Sequence, residues 1–449
     1  MSPRPHSRPG GPPEPAKSAR ADQRERLLRA IVKHVAENGY PSARVGDIAE
    51  QAGVSRATFY ELFENKEACF LAAHRELAPR LVANAATAIA EAAPAHPIDA
   101  AFGAIVDFAR EEPLAFGFLT HEAMLAGPQP LEERDELLSQ LEREVDQAYG
   151  RARSAAAPDI PTGMLLGGLI RVLGMRMRRG PYDSEELLAE LLAWVDGYRA
   201  ENRTKRKPIK FPSELGPDGE RAVPGAMAPA PLPRGRHRLP AALVVRVQRE
   251  RILHATADVI RAKGYEGTTV ADIVARAGVS REVFYSHFHS RSDAFLETHK
   301  LVFEQMMATA AGAFIASSGE WPDRVWDSWG AATALVVGSP SLAHFAFVES
   351  YALGQSVARR TDESVLAFTV FLRDGHRYIQ GGQAPPATSS TAIAGAVMET
   401  TASYIRRDRA EELFTLLPTL VYMILAPFLG QDDAREFIEG KLRARQTLA

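Results

Sequence analysis

Laid against itself at an offset of 225 positions, the sequence aligns residues 26–70 with 251–295 without a gap, and 17 of those 45 positions are identical. A period this long means duplicated domains rather than a stack of short repeats. Gly39-Tyr40, Asp47-Ile48, Ala52-Gly53-Val54-Ser55-Arg56, Phe59-Tyr60 and Phe63 return as Gly264-Tyr265, Asp272-Ile273, Ala277-Gly278-Val279-Ser280-Arg281, Phe284-Tyr285 and Phe288. Weaker echoes follow. Pro113, Phe118 and Glu122 answer Pro340, Phe345 and Glu349 at an offset of 227, and Gly167 and Arg178-Arg179 answer Gly395 and Arg406-Arg407 at 228. The duplication therefore covers two domains of about 200 residues each, in a chain of 449 residues that is too long for one ordinary core.

Residues 202–240 separate the halves, are dominated by Pro, Gly, Lys and Arg, and show neither the helical nor the strand period, so they read as a linker. A semi-flexible coil of that length reaches roughly 35 Å, enough to set the halves side by side. Residues 1–19 read as a disordered arm, since their Pro, Arg and Gly leave no apolar run of the kind a secretory signal needs. The longest apolar stretch, Leu413 to Leu429, is interrupted by Thr415, Pro418 and Thr419 and reads as a core or interface helix rather than a membrane span.

Arg20 to Asn38 sets Leu27, Ile31 and Val35 on one helical stripe closed by Gly39, and Leu243 to Lys263, closed by Gly264, repeats it. Val45–Gln51 and Ala57–Phe63 are two short helices around Gly53, and Val270–Arg276 and Glu282–Phe288 flank Gly278 in the same way. Longer helical patterns fill both halves. They break at Pro94 to Pro97, Pro113, Gly127 to Pro130, Pro158 to Pro161 and Gly180-Pro181, then near Gly319, Gly338 to Pro340, Gly381 to Pro386 and Pro427. Nothing alternates as a strand does, and the fold class is all-α.

A short helix, a glycine turn and a second helix opening Ser-Arg supply the rigid angle and presented N-terminus of a major-groove reader. With the preceding Gly-Tyr, the Asp-Ile, the Phe-Tyr-x-x-Phe and a basic residue three positions later (Lys66, Arg291), the constellation resembles the tetracycline-repressor (TetR) family of bacterial regulators, twice over. The resemblance implies two TetR-like modules, each with a three-helix helix-turn-helix bundle binding operator DNA and a six- or seven-helix ligand and dimerisation body. On this chain the bundles span 20–66 and 241–291, and the bodies 67–201 and 292–446.

Carried over by position, the resemblance places Ser55, Arg56, Thr58 and Tyr60 toward base edges or phosphates and Lys66 on a phosphate. In the second copy the positions are Ser280, Arg281, Val283, Tyr285 and Arg291. The chemistry agrees: Arg grips guanine bidentately, and Ser and Tyr hydroxyls reach phosphates. Taken singly, Arg56 and Arg281 read equally well as solvated charges, and Phe59, Phe63, Phe284 and Phe288 read as core. Where the family commonly has a helix-capping Thr, the second copy keeps Thr269 but the first has Arg44, and Ala57-Thr58 gives way to Glu282-Val283. The two heads should prefer different half-sites. His287 and His289 lie two apart on a short helix without a carboxylate or thiol framework, so His287 reads as a surface residue or a phosphate neighbour and no metal site is expected.

Hydrophobic residues at 46% and charged residues at 24% mark a soluble globular protein. A net charge of −3 excludes an overall basic coat yet leaves room for local basic surfaces. The single cysteine, Cys69, excludes an intramolecular disulfide and any multi-cysteine zinc site. No phosphate loop, dinucleotide fingerprint, serine elbow or zinc helix points to an enzyme.

By the same resemblance, residues 162–179 with 184–200, and 391–407 with 410–425, correspond to the family's dimerising four-helix bundle. At offset 228 Arg171 holds the place of Glu399, opposite charges that suit pairing of first half with second, unless both are merely solvated. The expectation is a single-chain pseudo-dimer on double-stranded DNA with an imperfect or asymmetric operator, further homodimerisation staying open. It is placed in the bacterial cytoplasm, without cofactor or membrane partner, and answers a small hydrophobic effector. Candidate pocket residues are Phe118, His121 and Met124 in the first body and Met307, Trp329, Phe345, Phe347, Tyr351 and Phe371 in the aromatic-rich second, with ordinary core as the alternative. The rival reading is a co-regulator or interaction scaffold that kept the fold and lost DNA binding in one or both copies.

Overall fold

The computed structural model describes residues 14–92, 96–152, 157–199, 228–230, 239–349, 355–379 and 384–448; most of the expected arm, most of the linker, the 381–383 part of the last expected glycine break, and Tyr351 lie outside them. Every regular element among the described residues is helical. The chain forms two compact units, one of residues up to 80 with 112–134, the other of 81–111 with 135 onward.

In the first unit α1 (Glu14–Asn38) begins at Glu14 rather than Arg20. Ala16, Lys17, Ala19 and Ala21 favour helix, and Pro15 falls in the first turn, where its missing N–H is no loss. A 3-10 turn (Tyr40–Ser42) leads to α2 (Val45–Gln51), α3 (Arg56–Leu62) and α4 (Lys66–Glu91). Leu27, Ile31, Ile48, Phe59 and Phe70 close a core with no exposed surface at any of them. The α2–α3 corner turns on Gly53, whose φ of 62° a side chain would strain. Arg26 braces it by donating to the carbonyls of Ala52 and Gly53 at 3.0 and 3.3 Å, groups the end of α2 leaves unsatisfied. After α5 (Pro97–Glu111), which belongs to the other unit, this unit takes up α6 (Pro113–Gly117), a π-helical turn (Phe118–Glu122), α7 (Ala123–Leu125) and the start of α8 (Pro128–Ala152), where Arg134 Nε donates to the Thr120 carbonyl at 2.8 Å.

The second unit contains the end of α4 from Leu81, α5, the rest of α8, α9 (Thr162–Arg179) and α10 (Ser184–Asp196). The second copy follows in α11 (Ala241–Gly267, broken at Gly264), α12 (Val270–Ala277) and α13 (Arg281–His287). Its corner at Gly278 has φ 67° and the same brace, Arg251 donating to the Ala277 carbonyl at 2.6 Å. The body continues with α14 (Arg291–Ala316), α15 (Trp321–Gly338), α16 (Pro340–Phe347), α17 (Gln355–Phe368), a 3-10 segment (Thr369–Tyr378), α18 (Ala387–Arg406), α19 (Leu413–Leu429) and α20 (Gln431–Leu448). The apolar stretch is α19. It is long and apolar enough for a bilayer when counted from Ala410, and most of it is buried within the protein.

Helices α9 and α18 pack closely within this unit because glycine faces side chain across the seam. A Cβ on Gly395 would stand 2.7 Å from Arg171 Cγ, and one on Gly167 3.2 Å from Glu399 Cβ. Arg171 Nη2 lies 3.3 Å from Glu399 Oε2, each side chain 8% exposed. Two further pairs answer one another: Arg406 donates to both Asp135 oxygens at 2.9 Å, and Arg178 donates to Asp362 at 2.7 and 3.0 Å. Residues 178 and 406 are equivalent at offset 228, and 135 and 362 at 227. Beside them the Tyr198 hydroxyl donates to the Met423 carbonyl at 2.8 Å and accepts from Trp194 Nε1 at 3.0 Å.

Candidate DNA-reading heads and effector cavity

In the first head Ser55 is the N-cap of α3, its Oγ accepting from the Thr58 N–H at 3.0 Å and lying 2.9 Å from Thr58 Oγ1. The cap fixes where the helix begins, so Arg56 is its first residue and is exposed. Phe59 is fully buried and anchors the opposite face, and Tyr60 meets it edge-on while keeping 59% of its own surface exposed. The Arg56 guanidinium lies across Gly46 in the first turn of α2, where a side chain would collide with it. The second copy has Ala271 there, which closes that path to Arg281.

The second head repeats the frame with different chemistry. Ser280 accepts from Val283 N–H at 3.2 Å, Arg281 and Glu282 are exposed, Phe284 is buried and Tyr285 is 55% exposed. Thr269 caps α12 reciprocally: its Oγ1 accepts from Asp272 N–H at 3.2 Å and its own N–H donates to Asp272 at 3.0 Å. Bonds from Lys263 and then Thr269 hold the Asp272 carboxyl down at about 2. Arg44, exposed at the equivalent place, makes no side-chain cap. His287 is half-buried, and burial, then the Arg249 charge, lowers its affinity for a proton.

Lys66 and Arg291, read from the sequence as phosphate contacts, are engaged inside the protein. Lys66 Nζ donates to the Tyr40 carbonyl at 2.9 Å and sits 3.9 Å from its ring centroid. Arg291 lies 4.2 Å from the Tyr265 ring and donates to the carbonyls of Tyr265 and Thr268 at 3.0 and 2.6 Å. Sequence reasoning missed the corner braces Arg26 and Arg251, although both fall in the repeat. It also missed the caps Asn65 and Ser290, which accept from Ala68 and Asp293 N–H at 2.8 and 3.1 Å. The signal was the polar residue standing just before each following helix.

The second unit holds an apolar cavity of about 50 Å³, walled by Met306, Trp329, Phe347, Phe368, Met398 and Leu413 among others. A smaller space of about 30 Å³ shares Met306, Phe347, Phe368 and Met398 and adds His299, Thr361 and Ser364. Of the expected pocket residues Trp329 and Phe347 face this cavity. Phe371 packs edge-on behind Trp329 at 5.8 Å, Phe345 lies in the core against Phe295, and the wall takes Met306 in place of Met307. Phe118 stacks 4.1 Å from Phe70 in the core of the first head. His121 and Met124 are half-buried on the same segment. A drug-sized ligand needs ~300 Å³ or more, so the walls must part to admit one, and flexible methionines can yield. A polar cleft of about 220 Å³ runs between α8, the start of α9 and the end of α18, lined by Glu142, Glu399, Arg406 and Arg407 among others.

Residues 27–73 and 252–298 each match the family profile described as bacterial regulatory proteins, tetR family. The fatty acid metabolism regulator protein of Bacillus subtilis is 42% identical over 50 residues, 11% of this chain and 26% of that protein, so the chain spans about a quarter of that relative. Among solved structures, the fatty acid degradation regulator FadR of Bacillus halodurans covers 38% of this chain with 94% of its own length, at 21% identity and a TM-score of 0.33. A TetR family transcription regulator from Marinobacter aquaeolei covers 41% with all of its length, at 22% identity and a TM-score of 0.35. FadR of Bacillus subtilis, solved with stearoyl-CoA, covers 38% with 96% of its length, at 20% identity and 0.33.

Proposed function

As the chain is a tandem member of the TetR family, we propose that it is a cytoplasmic transcriptional regulator reading double-stranded DNA through two unlike heads on one polypeptide. The observation that carries this is the intact reading frame in both copies: a capped recognition helix, anchored by a buried Phe, that turns an Arg and a Tyr outward. Ser, Arg and Tyr at the start of such a helix suit phosphate and guanine contacts. Glu282 in place of Ala57 gives the second head an acceptor suited to a cytosine amino group, and it repels phosphate.

The two halves act as a pseudo-dimer. In a two-fold interface, a contact from i to j implies one from j to i. The reciprocal pairs Arg406–Asp135 and Arg178–Asp362, and the glycines facing Arg171 and Glu399, have that form between equivalent positions. A chain pairing with itself would set Arg171 near Arg171. The operator is therefore imperfect or asymmetric. The effector is a small hydrophobic molecule entering the Trp329–Phe347 cavity; the 50-residue match to the Bacillus regulator is too short to carry over its ligand.

Gel shifts of Arg56→Ala and Arg281→Ala test the reading. Comparable losses of DNA affinity are expected from each. Loss from one alone makes the other head vestigial, and loss from neither leaves the scaffold reading.

A further inference from the structure

Two of the downstream echoes, Phe118 with Glu122 and Phe345 with Glu349, meet the Gly-Tyr corner of the head in their own half. In the first, the corner after α1 is Gly39–Tyr40, with Gly39 at φ 81°. The Tyr40 N–H donates to Glu122 Oε2 at 2.8 Å, and its carbonyl accepts from Lys66 at 2.9 Å. The Tyr40 ring meets Phe70 edge-on at 5.3 Å, and Phe118 stacks on Phe70 at 4.1 Å. In the second, Tyr265 N–H donates to Glu349 Oε2 at 3.4 Å and its carbonyl accepts from Arg291 at 3.0 Å. Phe295 lies 5.0 Å from the Tyr265 ring and 4.6 Å from Phe345. Five residues from three stretches of chain thus form one joint, built twice, at offsets of 225 to 227.

We propose that Glu122 and Glu349 are positioning residues for DNA reading: each carboxylate ties the Gly-Tyr corner of its head to the segment after α6 or α16 and so fixes the attitude of the recognition helix. This rests on the regulator reading above. A buried carboxylate is costly unless hydrogen-bonded, and in both halves an acceptor at this position takes the N–H of the Gly-Tyr corner. Glu122 is 3% exposed. The position also suits control. Along one short stretch Phe345 belongs to the joint, Phe347 walls the cavity and Glu349 holds the head, so an effector that displaces α16 loosens the corner at Tyr265.

The test uses the full chain, a duplex selected by the wild-type protein from random DNA, and an unrelated duplex. Glu122→Ala and Glu349→Ala are expected to lower affinity for the selected duplex by about tenfold, the size of a lost bond to a charged group, with binding to the unrelated duplex unchanged. Glu122→Gln and Glu349→Gln, whose amide oxygens still accept from the corner N–H, should restore most of it. In DNA-free protein, backbone hydrogen exchange at residues 39–43 and 264–268 should rise in the alanine variants alone. Wild-type affinity in the alanine variants, or glutamines as weak as alanines, overturns the proposal. A wild-type protein that selects no duplex defeats the regulator reading by itself, and unchanged exchange at both corners defeats the joint even then.

Discussion

The hydroxyl of Thr269 takes the Asp272 N–H, while Arg44 at the equivalent position leaves the start of α2 without a side-chain cap although Asp47 stands ready three residues on. A cap is worth about 1 kcal/mol. Thr269→Ala should therefore lower stability by about that amount and Arg44→Thr should raise it by a similar amount, both read from urea midpoints. Glu399 lies buried between Arg171 and Arg406. Glu399→Ala strips a carboxylate from two buried guanidiniums and should cost about 3 kcal/mol in the same measurement. The Arg171–Glu399 relation was legible because the repeat put opposite charges in one register. The roles of Lys66 and Arg291 were not. A cation at a helix start reads as a phosphate contact, and its bond to the carbonyl of Tyr40 or Tyr265, 26 residues upstream, appears only in the fold.

Helices α2 and α12 fall at the expected positions because each is a short amphipathic segment that a glycine turn, at Gly53 or Gly278, closes. The cavity was legible only in part, since helical periodicity cannot separate a core aromatic from a wall. Phe345 and Phe347 sit two positions apart on α16, and only the second faces the cavity. For the seam of α9 and α18, the repeat showed the glycines but not the side chain opposite each. Gly395→Leu would drive a side chain into Arg171, and because overpacking a closed seam costs about 1 to 3 kcal/mol, it should lower the thermal midpoint, while Gly440→Ala, whose Cβ would meet nothing within 4 Å, leaves it in place.

Across the whole chain, His74, His254, His287 and His344 all have proton affinities lowered chiefly by burial. Each takes a proton in the unfolded chain at a higher pH than in the fold. Stability is thus fullest above the unfolded histidine value, about 6.5, and falls as the pH drops through the depressed folded values. The urea midpoint should be lower at about pH 5.5 than at about pH 7.5, and His74→Gln should flatten part of that slope. The central claim is that one chain reads an asymmetric site with two unlike heads. It is tested most directly by selecting bound sites from random DNA with the purified protein and measuring the mass of the complex on the selected duplex. Two dissimilar half-sites held by a single chain are the expected result; a perfect palindrome carrying two chains, each engaged through the same head, would contradict it.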